Sequence, residues 1–239
     1  MLAAELKIHD GKDSFMKDID DLRMAQICGA ATILLMLLVS FVDVRDIGPA
    51  GTSIGLSHIN EFVHNLSPEN MFFYKVTGLF GIVARLTVLL VAALGFLQFL
   101  KRKSILKVDT EILATGTLYV VLIGLYVFFE VVIINYRPVI MPGETAPEAS
   151  FPSSHAMLVT TVMGSAMMLV RRYVSDGNIR RILKYIFGFI IVVTVVGRLL
   201  SGVHWFTDIV AGVLISMTLL SLYSWVLKHL KRHHREYII

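Results

Sequence analysis

The sequence predicts an all-α, polytopic membrane protein: a six-transmembrane-helix bundle with a short interfacial helix in its first outer loop. Three observations carry this prediction. Apolar residues fill 56% of the 239 positions and the mean hydropathy is +0.72, above the usual share for a water-soluble domain. They are bunched into six runs, 25–43, 76–99, 111–134, 153–170, 183–200 and 207–227, each about the length a helix needs to cross hydrocarbon. Lysine and arginine, finally, gather in alternate loops.

That alternation sets an orientation. Of the 22 Lys and Arg, four precede the first run, four sit at Lys101, Arg102, Lys103 and Lys107, five lie in 171–184, and four follow from Lys228. The remaining loops, with their flanks, hold only Arg45, Lys75, Arg137 and Arg198, and Arg85 falls inside the second run. The positive-inside rule then places both termini in the cytoplasm, with the protein in the plasma (cytoplasmic) membrane. The domain reading follows: 1–24 a cytoplasmic N-terminal segment, 25–227 the six-helix membrane domain, 228–239 a basic cytoplasmic tail.

The pI of 9.2 does not call for nucleic acid. The tail Lys228–Arg235, with His229, His233 and His234, suits anionic headgroups of the bilayer. Residues 1–24 mix Lys7, Lys12, Lys17 and Arg23 with six acidic residues and show no small-residue cleavage pattern, so the first run is expected to stay as an anchor. Cys28 is the single cysteine. It excludes an intrachain disulfide and reads as a small buried apolar residue.

The loop after the first run opens with the turn formers Gly48, Pro49 and Gly51. From Ile54 to Leu66, the residues Leu56, Ile59, Phe62, Val63 and Leu66 recur at helical spacing between His58, Asn60, Glu61 and Asn65. This predicts a short amphipathic helix at the outer interface. His58 and His64 do not share a face and read as surface residues. Asp176-Gly177-Asn178 is a turn signal between the fourth and fifth runs.

Three polar clusters end up on one face. With both termini inside, the outer side receives the ends of the third and fifth runs and the starts of the fourth and sixth. Arg137-Pro138, Pro152-Ser153-Ser154-His155 and Arg198-x5-His204-x3-Asp208 all fall there. Taken singly each has a bland reading: Arg137 as an interfacial anchor, Pro-Ser as a helix cap, His204 as an inert interfacial histidine. Arg137, lying before a proline, should mark the end of the third helix. Pro152 would open the fourth, leaving the backbone N–H groups of Ser153, Ser154 and His155 to face an anion. His204 and Asp208, four apart, share a helix face, so the carboxylate can fix one ring nitrogen and leave the other as a nucleophile. Gly197 and Gly202 would let the chain bend closely around a ligand. Together these are parts for moving a phosphoryl group without metal or cofactor.

These residues resemble the type 2 phosphatidic acid phosphatase superfamily of integral membrane lipid phosphatases. That family carries Lys-x6-Arg-Pro, Pro-Ser-Gly-His and Ser-Arg-x5-His-x3-Asp on a six-helix bundle. Ser154 stands for the family glycine, Gly197 for the serine, and Glu130 for the lysine. The last exchange puts a carboxylate where a phosphate-binding cation is expected. Pairing of Glu130 with Arg85 or Lys75 is one answer, since an unpaired charge deep in the second run is costly.

The resemblance implies a lipid phosphate or diphosphate substrate. His204 would be the nucleophile, Asp208 its orienting partner and His155 the acid/base. Arg137, Arg198, Ser153 and Ser154 would hold phosphate oxygens. A phosphotransferase on the same scaffold, and a catalytically impaired lipid-phosphate-binding protein, stay open as alternatives. A transporter lacks the paired interruptions or inverted repeat it would need.

Overall fold

The computed structural model describes the backbone of residues 2–236 and the side chains of 19–230. Within it are seven α-helices: α1 (Leu2–Phe41), α2 (Ser57–Leu66), α3 (Met71–Arg102), α4 (Thr110–Val131), α5 (Ser154–Tyr173), α6 (Gly177–Leu200) and α7 (Phe206–Glu236). The chain is all-α, and it is an integral membrane protein. Five stretches, Ile19–Phe41, Met71–Arg102, Thr110–Val131, Gly177–Leu200 and Phe206–Leu230, are long and apolar enough to cross a bilayer.

The fourth predicted run corresponds to α5, which differs in kind from the other five. It packs against α3, α4, α6 and α7, and most positions from 156 to 170 are buried. Facing helices rather than lipid, it accommodates Thr160, Thr161, Gly164 and Ser165. Some of these bond across the bundle, as small polar residues do between membrane helices. The Tyr119 and Ser165 hydroxyls lie 3.1 Å apart, and Thr161 Oγ1 donates to Ser216 Oγ at 3.1 Å. Burial replaces apolarity here, so α5 is not among the stretches that qualify by composition.

The amphipathic stretch forms α2, with its polarity turned inside out relative to a soluble helix. Ser57 and Asn60 are buried while Ile59, Phe62 and Leu66 are exposed. Asn60 Nδ2 donates to Gly55 O at 2.9 Å and to Thr207 Oγ1 at 3.0 Å, and Thr207 N–H donates back to Asn60 Oδ1 at 3.2 Å. This clamp fixes the start of α7. Arg45 is held by Glu61 at 2.9 Å. Of the two histidines, His58 is exposed and bonded to Asp43 at 2.7 Å. His64 is half-buried with its ring 5.3 Å from that of Trp205, so it is not the surface residue its spacing predicted.

Asp176 caps α6, accepting from the N–H groups of Asn178 and Ile179 at 2.7 and 2.9 Å. Cys28 is buried. Helix α1 runs unbroken through the boundary expected at 24, and α7 through that at 228. Lys228 Nζ lies 2.6 Å from Asp21 Oδ2, joining those two helices. Lys7, Lys12, Lys17, His233, His234 and Arg235 lie outside the residues whose side chains are described.

Candidate active site

The site forms where the 132–153 loop folds back over the starts of α5 and α7. α4 stops at Val131, well before Arg137, so the X-Pro signal does not mark the helix end. Arg137 instead sits on a short antiparallel arm. Tyr136 bridges Ala149, Arg137 N–H donates to Glu148 O at 3.0 Å, and Ser150 N–H donates to Asn135 O at 2.9 Å. The arm carries Asn135, Arg137 and Ser150 inward together.

Asp208 is fully buried on the first turn of α7. Its Oδ2 accepts from Trp205 N–H at 2.9 Å, half of a capping box. Its carbonyl accepts from Ser153 N–H at 2.9 Å. That bond corrects one expectation. Ser153 is the N-cap residue, α5 begins at Ser154, and the Ser153 amide already has its partner. Any anion nest at this helix start therefore begins at Ser154. Pro152 precedes the cap instead of occupying the first turn, and the Phe151–Pro152 peptide is cis.

Ser150 is the residue that motif spacing missed. Its Oγ lies 2.5 Å from Asp208 Oδ2 and 3.0 Å from His204 Nδ1, while the imidazole and carboxylate themselves are 3.8 Å apart. A hydroxyl has one proton. Donating it to the carboxylate leaves the serine oxygen to accept from His204 Nδ1–H. Nε2 then carries the lone pair, the form a nucleophile needs. Burial first, then Arg137 and Arg198, hold the His204 imidazole well below its ordinary value of 6.5, so the ring stays neutral.

Arg198, in the last turn of α6, is 1% exposed and lies 4.9 Å above the centre of the Tyr74 ring. Arg137 Nε is 3.0 Å from Glu148 Oε2, an ion pair out of hydrogen-bond alignment. Among the described residues, Arg137 Nε and Nη1, Arg198 Nε and Nη1, and His204 Nε2 are buried without a hydrogen-bond partner. Both guanidiniums and both imidazoles are close enough to interact electrostatically. The structure thus brings Arg137, His155, Arg198, His204 and Asp208 together.

His155, on the first turn of α5, lies against α3 at Gly81. A Cβ there would sit 2.9 Å from His155 Cδ2 and 3.1 Å from Nε2, so only glycine leaves room for the ring. The two glycines singled out by the sequence both serve close packing within the chain. Gly197 lets α6 approach Thr77 of α3, where a Cβ would be 2.6 Å from Thr77 Cγ2. Gly202 has φ +66° and abuts Ser67 and Glu69, so it ties the α6–α7 turn to the α2–α3 turn.

Glu130 is exposed on the last turn of α4 and shares a small pocket with Ser150, Ser154 and His204. Tyr126, one turn earlier, interacts with it. Arg85 and Glu130 form no ion pair among the described residues. They face different spaces: Arg85 lines a cavity of about 520 Å³ with Ser154, His155 and the apolar Leu89, Leu122 and Leu158. A second, apolar cavity of about 610 Å³ continues from it between α3 and α4, sharing Val88, Tyr119 and Ile123. Among the described residues no group of three or more His, Cys, Asp or Glu is arranged to hold a metal ion.

The family model of the PAP2 superfamily matches residues 116–232, which include Glu130, Arg137, Ser150, Ser153, Ser154, His155, Arg198, His204 and Asp208 and leave out α3 with Arg85 and Gly81. Of solved structures, the first transmembrane PAP2-type phosphatidylglycerolphosphate phosphatase from Bacillus subtilis is similar, with a TM-score of 0.52 at 20% identity. The likeness covers 87% of this chain and 94% of that one, and it is a likeness of fold. LpxE from Aquifex aeolicus aligns with a TM-score of 0.38 at 23% identity, over 70% of this chain and 92% of that one. No curated protein matches.

Proposed function

Because the chain belongs to the PAP2 superfamily, we propose that it is a metal-independent lipid phosphate or diphosphate phosphatase working through a phosphohistidine. The site faces outside and both termini are cytoplasmic. One observation carries the reading. Arg137 Nη1, Arg198 Nε and Arg198 Nη1 are buried without hydrogen-bond partners, as is His204 Nε2. Buried donors without acceptors are costly, and a phosphoryl group supplies acceptors to all of them at once.

In this mechanism His204 Nε2 attacks phosphorus while the bond to the lipid oxygen breaks. His155 gives that oxygen a proton. Asp208, through Ser150, holds the proton on Nδ1 and stabilises the ring as it becomes cationic. Water then attacks phosphorus, losing its proton to His155, as the bond to Nε2 breaks and its electron pair returns to the ring, and phosphate leaves. Arg137, Arg198 and the Ser154 end of α5 hold the oxygens as charge redistributes; Ser153 contributes by anchoring the helix start to Asp208.

The test is phosphate release by purified protein from a panel of lipid phosphates. His204→Ala and His155→Ala should abolish release while the proteins remain folded, and chelator should leave the wild-type rate unchanged. Near-normal turnover by His204→Ala would sink the assignment. Glu130, beside His204 in the same pocket, favours a second reading as an impaired lipid-phosphate binder. Tight binding of a lipid phosphate with no release by the wild type would select it.

A further inference from the structure

Arg85 lies inside a membrane-crossing stretch of α3, yet among the described residues it makes no ion pair or hydrogen bond. A guanidinium at such depth marks a functional group unless something neutralises it. Its place relative to the site is fixed by Gly81, which touches His155. Four residues on, Arg85 is on the same helix face and about 6 Å further along the axis.

The direction of that step matters. The start of α3 is bonded to the α6–α7 turn, Asn70 N–H to Ser201 O at 3.0 Å, while its far end pairs through Arg102 with Asp109 at 2.8 Å. Arg85 is therefore on the membrane-interior side of His155. Beyond it along the same wall come Val88 and Leu89, facing Leu122, Ile123 and Leu158. A substrate read from the site inward thus meets His204, His155, a cation, and then hydrocarbon walls.

We infer that Arg85 is the binding group for a second, lipid-linked phosphate, and that the preferred substrate is a lipid diphosphate. The inference rests on the phosphatase reading and narrows its substrate class. In the reaction His204 Nε2 takes the terminal phosphorus, and the bond from that phosphorus to the bridging oxygen breaks. The electron pair stays on the bridging oxygen, which takes the His155 proton, so the leaving group is a lipid monophosphate whose remaining negative charge Arg85 meets. With a monophosphate ester, the guanidinium would face an uncharged ester and gain nothing. The cation lost at Glu130 is thus supplied from a different helix and for a different phosphate.

The experiment gives full-length protein in nanodiscs a polyprenyl diphosphate or the matching monophosphate and follows inorganic phosphate. Wild type should favour the diphosphate in kcat/KM. Arg85→Gln should lower the diphosphate-to-monophosphate ratio by about tenfold or more, as loss of a charge-assisted contact does, with Arg85→Lys in between. An unchanged ratio, or a wild-type preference for the monophosphate, overturns the inference. Release from neither lipid would instead fail the phosphatase reading. Binding to His204→Ala protein then decides about Arg85 separately: a diphosphate preference that Arg85→Lys weakens upholds it, and equal binding of the two lipids refutes it.

Discussion

At the scale of single residues, the proposed mechanism depends on which nitrogen of His204 holds the proton, and Ser150 lies where it can decide that. Its hydroxyl spans the 3.8 Å between imidazole and carboxylate with contacts of 3.0 and 2.5 Å. Ser150→Ala leaves Asp208 only the Trp205 amide at Oδ2 and releases Nδ1 from tautomer control. A hydrogen bond to a charged group contributes about 1.5–3 kcal/mol, so kcat should fall roughly 10- to 100-fold. Ser150→Thr, which keeps the hydroxyl, should recover most of it; failure of the threonine variant to exceed alanine would remove Ser150 from the mechanism. The same site sets a pH dependence. Burial and two nearby cations lower the His204 pKa, so the neutral imidazole that the proposed mechanism needs persists below the ordinary 6.5. The acid limb of kcat/KM in the wild type should accordingly lie below that value.

Elements explain what the sequence could and could not reveal. The lipid-facing helices are legible because each must be apolar along its whole length; Arg198 is legible because it ends an apolar run, and His204 and Asp208 because they stand four apart where the next run begins. Ser150 is not, since its role arises from an arm that folds back through the Tyr136–Ala149 bridge, and no periodicity encodes that contact. Gly81 is equally silent: a glycine in an apolar run shows its purpose only once His155 lies against it. Helix α2 is amphipathic, as its spacing predicts, but its polar face is a joint. Asn60 satisfies Gly55 O and the hydroxyl and N–H of Thr207, one residue before Asp208. Asn60→Ala strands these buried groups at about 1–3 kcal/mol each. Thermal unfolding in detergent should shift down by several degrees, and phosphate release should drop with it. A variant as stable as wild type would mean α2 is only a cover.

For the whole molecule, the decisive property is sidedness, because the same residues would serve a different pool of lipid if the bundle were inverted. The basic loops 101–107 and 171–184 lie at the end of the helices opposite the site. The 135–150 arm and α2 lie at the site end, where Arg45 and Arg137 are each paired with a carboxylate, Glu61 and Glu148. Lys and Arg therefore concentrate in the loops at the end away from the site, and such cations resist translocation. Cys28 is buried and is the only cysteine, so replacing it by alanine yields a background for single-cysteine labelling. In intact cells a membrane-impermeant maleimide should label Glu144→Cys on the exposed arm at once. Ser175→Cys, in the exposed α5–α6 turn, should react only after lysis. The reverse pattern would turn the site toward the cytoplasm, and a lipid phosphate made on the inner leaflet would then reach it without crossing the bilayer.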